Sequence, residues 1–127
     1  MKDLTKAEEQ VMKYLWNLEH AFLKDIVEQF PEPRPAYTTI STVIRVLVKK
    51  KFVHFRTHGK VHEYYPLISK DSYFKGHFKA VVRDFFSGSM SKFALFFTKD
   101  EDLSLTELEQ MKLMIDEKID RLKEEND

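Results

Sequence analysis

The first half of the chain carries apolar stripes at helical spacing, separated by polar breaks. Thr5 and Glu8 form the pattern of a capping box, and the apolar residues after them recur at the three- and four-residue steps of one helix face. A shorter stripe predicts a second helix over residues 23–30. Three prolines within residues 31–35 then predict a loop, because proline lacks the N–H group that a helix requires.

A third apolar stripe predicts a helix over residues 38–50, and the polar face of this helix is unusual. The stripe consists of Ile40, Val43, Ile44 and Leu47. The other face consists of Thr38, Thr39, Ser41, Thr42 and Arg45. A face that only meets solvent would favour Glu, Lys or Gln, since Thr is a mediocre helix former. Residues 52–66 then predict a β-hairpin with its turn at His58-Gly59.

The second half of the chain returns to helical spacing, now with wide aromatic stripes. A fourth helix is predicted over residues 69–86, a Ser-Gly-Ser break follows at 87–89, and a short aromatic segment lies at 92–97. Ser104 and Glu107 repeat the capping pattern and begin a last helix. The stripes of the fourth and last helices consist of Phe74, Phe78, Val81 and Phe85, and of Leu108, Met111, Ile115, Ile119 and Leu122.

The charge is segregated along the chain although its net value is zero. Residues 1–66 carry 11 Lys and Arg against 8 Asp and Glu, residues 67–98 carry 5 against 2, and residues 99–127 carry 5 against 11. The 29 residues from Arg34 to His62 hold seven Lys and Arg and no acidic residue. The hydroxyl-rich helix and the hairpin therefore share one basic, acid-free window.

Composition disfavours several classes of protein. The chain has no cysteine, so disulfides, thiolate catalysis and cysteine metal sites are excluded. It has no Gly-rich phosphate loop and no supported Ser-His-Asp set, so we expect neither an enzyme nor a bound cofactor. The charged N-terminal segment and the lack of a long apolar run predict a cytoplasmic protein without membrane insertion. His54, His58 and His62 lack carboxylate or thiol companions nearby, so no metal site is expected.

The order of the predicted elements indicates a fold class. Three helices followed by a two-stranded hairpin is the order of a winged helix-turn-helix. We predict a mainly α (α+β) protein with an N-terminal winged helix-turn-helix over residues 1–67, made of three helices and a two- or three-stranded wing. A C-terminal helical domain is predicted over residues 68–127. Its two apolar stripes suit either the small core of one chain or a dimer interface, and two-fold symmetric DNA sites favour the dimer.

In a winged helix-turn-helix the third helix enters the major groove of DNA and the hairpin contacts the flanking backbone. Short hydroxyl side chains let a helix approach base edges closely, and basic side chains bind phosphates. The predicted DNA-binding residues are Arg34, Thr38, Thr39, Ser41, Thr42, Arg45, Lys49, Lys50, Arg56, His58 and Lys60. Two alternatives stay open, a merely solvated polar surface and a winged-helix protein–protein interaction module.

Four segments carry ordered motifs at recognisable intervals: LTKAEEQVMKYLW, YTTISTVIRVLVKKKFV, HGKVHEYYPLIS and KDEDLSLTELEQMKLMI. Together they resemble the penicillinase and methicillin-resistance repressors, the BlaI/MecI/CopY family. The resemblance implies a homodimeric transcriptional repressor that binds a palindromic operator and dimerises through its C-terminal domain. It also implies that Thr38, Thr39, Ser41, Thr42 and Arg45 read the operator, and that a partner membrane metallopeptidase ends repression by cutting the chain.

The chain departs from the family pattern at three places. Lys51 stands where the family usually has glycine after the lysine pair. The absence of cysteine disfavours the copper-responsive branch, whose members carry a C-terminal cysteine cluster. The pair Phe96-Phe97 stands where antibiotic-responsive members are cut at an Asn-Phe bond, so a cleavage site at Phe96 and Phe97 is a hypothesis here.

Overall fold

The computed structural model describes residues 4–99 and 101–126 of the chain. Its elements are α1 (Lys6–Leu18), β1 (Ala21–Phe22), α2 (Leu23–Gln29), α3 (Tyr37–Lys49), β2 (Val53–His58), β3 (Val61–Pro66), α4 (Lys70–Phe86), α5 (Met90–Thr98) and α6 (Leu105–Glu125). The chain forms two compact units, the first ending at Lys79 and the second beginning at Ala80. The functional boundary after residue 67 stays a prediction.

The first unit is built on a core that three helices and the sheet share. The capping box at the start of α1 is present, since the Glu8 N–H donates to the Thr5 hydroxyl and the Thr5 N–H donates to the Glu8 carboxylate, each over 3.2 Å. The predicted stripe of α3 is buried at Ile40, Ile44 and Leu47. Its companions in the core are Val11, Met12, Leu15, Ala21, Ile26, Val27, Phe52, Val53 and Tyr73.

The sheet of the first unit is antiparallel, with strand order β1-β3-β2. In the hairpin Val53 lies opposite Pro66 and Thr57 lies opposite His62, while Ala21 of β1 lies opposite Tyr64 of β3. Three helices, a two-residue first strand and a hairpin make up a winged helix-turn-helix with a three-stranded wing sheet. The predicted fold class is therefore confirmed.

The second unit consists of the last turns of α4 together with α5 and α6. The sequence did not assign a helix to the aromatic segment at 92–97, but the structure places it in α5, which Ser89 caps by accepting from the Lys92 N–H at 3.1 Å. Ser104 caps α6 in the same way, accepting from the Glu107 N–H at 3.1 Å. Among the residues described in this unit, Val82 is the one buried apolar side chain.

No helix within residues 4–99 and 101–126 is long and apolar enough to cross a membrane.

Candidate nucleic-acid interface

The solvent-facing side of α3 carries a continuous row of polar side chains. Thr38, Thr42, Arg45 and Lys49 follow one another at steps of four, three and four residues, so they lie on one helix face, and all four are exposed. We call these four residues the reading stripe. It lies opposite the buried side chains of Ile40, Ile44 and Leu47. The core thus fixes the rotation of α3 and leaves the reading stripe in solvent.

Within the reading stripe, the Thr42 hydroxyl donates to the Thr38 carbonyl oxygen at 3.0 Å. A threonine whose hydroxyl donates to the backbone keeps its oxygen available as an acceptor. Base edges in the major groove present amino donors, from which a hydroxyl oxygen can accept, and the thymine methyl group, against which a threonine methyl can pack. The stripe can therefore meet both kinds of base feature without long side chains.

Ser41 does not share the exposed face that the sequence predicted for it. It is half-buried on the flank of α3 that faces the hairpin, where it borders a crevice of about 310 Å³ together with Arg45, Phe55, His62 and Tyr64, besides Ile44 and Val48. Burial raises the pKa of the Tyr64 phenol, and the positive charge of Arg45 opposes that rise. Arg45 thus extends from the reading stripe to the edge of this crevice.

The N-terminus of α3 differs from that of α1. Ala36 precedes α3 and provides no side-chain cap, and the first turn of α3 holds no acidic residue. The first-turn N–H groups consequently have no side-chain acceptor among the residues that the structure describes. Uncapped N–H groups and the positive end of the helix dipole favour an anion such as phosphate. Tyr37 lies half exposed in this turn, and the sequence did not single it out.

The basic residues around α3 differ in whether acidic side chains of the protein pair with them. Lys49 is exposed in the reading stripe, whereas the Lys50 ammonium lies 2.6 Å from the Glu8 carboxylate and is mostly buried. Arg34 is exposed, but it pairs with Glu32 at 3.2 Å and donates to the Phe30 carbonyl oxygen. Lys50 therefore joins α3 to α1, and its predicted role at DNA stays a prediction.

Glu8 is the buried partner in that ion pair. Burial alone would raise the pKa of its carboxyl, but the hydrogen bond from Lys50, the bond from the Thr5 N–H and the Lys50 charge outweigh burial and lower the pKa below its ordinary value of 4.5. The carboxylate is thus held charged at neutral pH. It ties the capped start of α1 to the C-terminal end of α3.

The hairpin presents different side chains on its two faces because cross-strand partners point to the same side. Arg56 lies opposite Glu63, and its guanidinium lies 5.5 Å from the ring centre of Tyr65. On the same face, His58 Nε2 lies 3.2 Å from the Glu63 carboxylate. Lys60 stands exposed in the turn. Glu63, one residue beyond the acid-free window, therefore places one carboxylate beside His58.

His62 points to the opposite face from His54 and His58. Its ring lies 4.1 Å from that of Phe55, and its Nδ1 lies 3.3 Å from the Thr57 hydroxyl. The alternation of side chains along a strand thus places His62 on the face opposite to His54 and His58. Within residues 4–99 and 101–126, no three His, Asp or Glu side chains come together as a metal site would require.

Comparison with known proteins places these elements in a family. The sequence profile of the penicillinase repressor family matches residues 4–117, which is most of the chain. The chain belongs to the penicillinase repressor family. Members are repressors with a DNA-binding winged helix, and the chain is a regulatory protein rather than an enzyme.

Individual relatives match over almost their whole length. The methicillin resistance regulatory protein MecI of Mammaliicoccus sciuri is 27% identical over 117 residues, which cover 91% of this chain and 95% of the relative. MecI of Staphylococcus aureus strain N315 is 26% identical over the same shares. The penicillinase repressor of Bacillus licheniformis is 24% identical over 122 residues, which cover 95% of each chain.

Two solved structures each resemble more than half of the chain. The DNA-binding domain of the repressor BlaI is 26% identical, covers 57% of this chain and 94% of its own, and gives a TM-score of 0.49. The CopR repressor structure is 30% identical, covers 54% of this chain and all of its own, and gives a TM-score of 0.45. Both TM-scores lie below 0.5, and the winged-helix assignment rests on the element order and sheet topology of the chain.

In this member of the penicillinase repressor family, the backbone at Lys51 adopts a conformation that favours glycine. Lys51 has φ of 68°, in the left-handed region. Glycine adopts that region without penalty, whereas a side chain costs about 1 kcal/mol there. The turn that leads from α3 into β2 therefore places a lysine in a conformation that glycine adopts more readily. Lys51 adds one exposed cation to it.

The residues predicted to dimerise lie on α4 and α6 and differ in exposure. Phe78, Val81, Leu108 and Met111 are partly buried, whereas Phe74, Phe85, Ile115, Ile119 and Leu122 are exposed. Leu113 and Met114, outside the predicted stripe, are exposed as well. The apolar surface of α6 is therefore wider than the sequence stripe predicted.

The hypothetical cleavage pair lies inside α5. Phe96 is 67% exposed, and Phe97 is partly buried with its ring stacked on that of Phe93 at 5.8 Å. The ring of Phe86 lies 5.6 Å from that of Phe93 and 5.7 Å from that of Phe96. The bond between Phe96 and Phe97 is therefore a helical peptide bond within an aromatic cluster.

Proposed function

We propose that this chain is a transcriptional repressor that binds a palindromic DNA operator as a homodimer. The reading stripe supports this proposal most directly, because Thr38, Thr42, Arg45 and Lys49 form an exposed row on a helix that the core holds from behind. In this assignment the threonines meet base edges in the major groove and Arg45 donates to a base or a phosphate. Thr39 flanks the row, and Ser41 supports it from the hairpin side.

The remaining contacts are with phosphates. The uncapped N-terminus of α3 receives one phosphate. Lys49, Lys51 and Lys60 are exposed cations for others. Arg56 and His58 lie on the outer face of the hairpin, where Tyr65 and Glu63 orient them. Lys50 contributes less than the sequence suggested, because its charge is already engaged by Glu8.

Dimerisation is the second part of the proposal. The exposed apolar side chains of α4 and α6 are numerous for a protein that stays monomeric, since contiguous exposed apolar surface marks association sites. A second copy of the chain would cover them. Two linked winged helices would then hold two half-sites at high effective concentration, which strengthens binding by about 10²–10⁴-fold over one half-site.

A salt titration of DNA binding tests the DNA-binding part of the proposal. If the dimer makes about six to ten phosphate contacts, affinity for the operator falls roughly 10³–10⁵-fold between about 50 and 200 mM salt. Arg45→Ala should weaken operator binding by about 1–3 kcal/mol and relax specificity at one position. Lys60→Ala should weaken all sequences about equally and lower the salt slope by about 1.

The matched control is Lys13→Ala, which removes the same charge from an exposed position of α1. Its affinity and salt slope should equal those of the wild type. Affinity for DNA that is absent at every sequence, or that does not change with salt, would refute DNA recognition. It would favour the alternative in which α3 docks a protein partner.

We further propose that proteolysis between Phe96 and Phe97 by a partner membrane metallopeptidase ends repression. The cut would separate the winged helices from α6 and so remove the gain from linked half-sites. The helix α5 has only nine residues, and such short helices depend on packing, so the ring contacts of Phe96 and Phe97 must open before the bond between them can be cut. Co-expression with a membrane metallopeptidase encoded beside the repressor, followed by mass spectrometry, should reveal fragments ending at Phe96. An intact chain under full induction would exclude this route.

A further inference from the structure

A groove of about 580 Å³ lies within the first unit, beside the start of α2, the start of α3 and the turn of the hairpin. We call it the hairpin groove. Its apolar lining comes from three places in the chain: Phe22 and Leu23 where β1 meets α2, Tyr37 at the start of α3, and Val61 and Tyr64 of β3. Small-molecule sites in proteins measure about 300–1,000 Å³ and are lined mainly by apolar and aromatic side chains. The hairpin groove has the size and the lining of such a site.

Two of the apolar side chains that line the hairpin groove are open to solvent. Val61 is 53% exposed and Tyr37 is 49% exposed. Phe22 beside them is held in place, since its N–H donates to the Asp25 carboxylate at 3.0 Å and its ring lies 5.9 Å from that of His58. Exposed apolar surface with a polar rim marks binding sites. The groove therefore offers apolar surface that the first unit itself leaves uncovered.

The charged side chains of the hairpin groove favour an anion. Lys24 and Lys60 line the groove, and both are exposed. Asp25 lines it too, but its carboxylate already accepts from the Phe22 N–H. Glu28 lies 4.0 Å from Lys24, and a contact of this length between exposed side chains contributes little. An occupant with an apolar ring and a carboxylate would therefore match both the lining and the charge of the groove.

We propose that the hairpin groove binds a small aromatic carboxylate and that the bound molecule releases the protein from DNA. The ring of the ligand packs against Phe22, Tyr37 and Val61, and its carboxylate pairs with Lys24 or Lys60. The release step rests on the proposed function, in which Lys60 and the N-terminus of α3, where Tyr37 lies, each meet a phosphate. An anion bound beside Tyr37 and Lys60 neutralises part of that positive surface and repels the phosphates.

Isothermal titration calorimetry of the full chain with 2-naphthoate tests the site without DNA. A Kd of about 1 mM or tighter is expected for a ligand of this size. Lys24→Ala should weaken naphthoate binding by about 2–5-fold, as expected for an exposed ion pair, and should leave the affinity for the uncharged 2-naphthalenemethanol unchanged. Val61→Glu should weaken naphthoate binding by at least about tenfold, because it places a second carboxylate in the groove.

Lys13→Ala is the matched control, because Lys13 is also an exposed helical lysine with a glutamate partner, Glu9 at 3.4 Å, and it lies outside the lining of the groove. It should bind naphthoate as the wild type does. A wild type that binds no naphthoate would overturn the inference. So would a Val61→Glu protein that binds naphthoate as tightly as the wild type, since the ligand would then sit elsewhere.

An operator-binding assay in the presence of 2-naphthoate tests the release step. At a naphthoate concentration about ten times its Kd, operator affinity of the wild type should fall by about tenfold, as mutually exclusive binding requires. Sodium acetate at the same concentration controls for ionic strength and should leave the affinity unchanged. Lys24→Ala should bind the operator normally without ligand and should need about 2–5-fold more naphthoate for the same loss.

The two assays separate this inference from the proposed function. Naphthoate that binds in the hairpin groove and leaves operator affinity unchanged would overturn the inference. A wild type that binds naphthoate with the expected variant pattern but binds no DNA would overturn the proposed function and the release step, and it would support the hairpin groove as a ligand site.

Discussion

The two units of the chain bury their apolar side chains to different extents. In the first unit, side chains such as Met12, Ile26 and Leu47 lie almost fully buried in a core shared by helices and sheet. In the second unit, Phe85 is 79% exposed and Ile115 is 59% exposed. Burial of a large apolar side chain contributes about 1.5–3 kcal/mol. The first unit obtains this stabilisation within one chain. In the second unit most large apolar side chains stay exposed and do not contribute it.

Local helix formation does not explain this difference. Each unit has a long helix that begins with a hydroxyl cap, Thr5 for α1 in the first unit and Ser104 for α6 in the second. A cap stabilises a helix end by about 1 kcal/mol in either setting. What differs is packing between elements, which supplies most of the stability of helices in proteins. The second unit therefore has well-formed helices whose apolar faces are largely exposed. We propose that a second copy of the chain covers them.

Replacing Ile115 by Lys should produce the largest effect, and it tests whether the second unit needs a second copy of the chain. In the proposed dimer it would bury an unpaired charge in an apolar seam, which costs several kcal/mol. The variant should sediment as a monomer and lose operator affinity by about 10²–10⁴-fold, because each winged helix would then bind its half-site alone. Its single half-site affinity should be unchanged.

Gln110→Lys is the matched control, since it adds the same charge at an exposed position of α6 outside the predicted stripe. This control should sediment as a dimer and bind the operator normally. An Ile115→Lys protein that stays dimeric would place the interface elsewhere, and the exposed stripe of α6 would then need another explanation.

Periodicity in the sequence was enough to predict the fold of the first unit. The stripe of α3, the proline loop and the β-rich arms each matched the geometry of one element, and their order matched one fold. The helix α5 was missed because its apolar residues surround it rather than forming one stripe. Phe93, Leu95, Phe96 and Phe97 point to different sides, so no period of 3.6 residues is visible.

Contacts between distant residues in the candidate interface could not be predicted from the sequence. The exposed face of α3 follows from its spacing, since the apolar stripe defines the opposite side. The engagement of Lys50 does not follow, because its partner Glu8 lies 42 residues earlier in the chain. The half-buried position of Ser41 likewise depends on how the hairpin packs beside α3. A lysine that the sequence suggests is available for DNA can thus be engaged in an ion pair within the protein.

Glu8→Gln should produce a smaller effect, and it tests whether the first unit is stable without a partner. Loss of the charged bond between Glu8 and Lys50 should lower the free energy of unfolding of the first unit by about 1.5–3 kcal/mol at pH 7. Because the folded-state pKa of Glu8 lies below 4.5, this stabilisation is fully present above pH 4.5 and is lost as the pH falls through the lowered value. The Gln variant should lack that part of the acid dependence. The fluorescence of Trp16, the single tryptophan, reports the unfolding of this unit.

The control Glu28→Gln removes an exposed carboxylate that lies 4.0 Å from Lys24, a contact that contributes little, so it should keep the wild-type stability and acid dependence. The Trp16 transition of all three proteins should not depend on protein concentration, because the first unit buries its core within one chain. A transition that shifts upward with concentration would mean that dimerisation stabilises the first unit too. The contrast between a first unit that buries its own core and a second unit that leaves apolar side chains exposed would then fail.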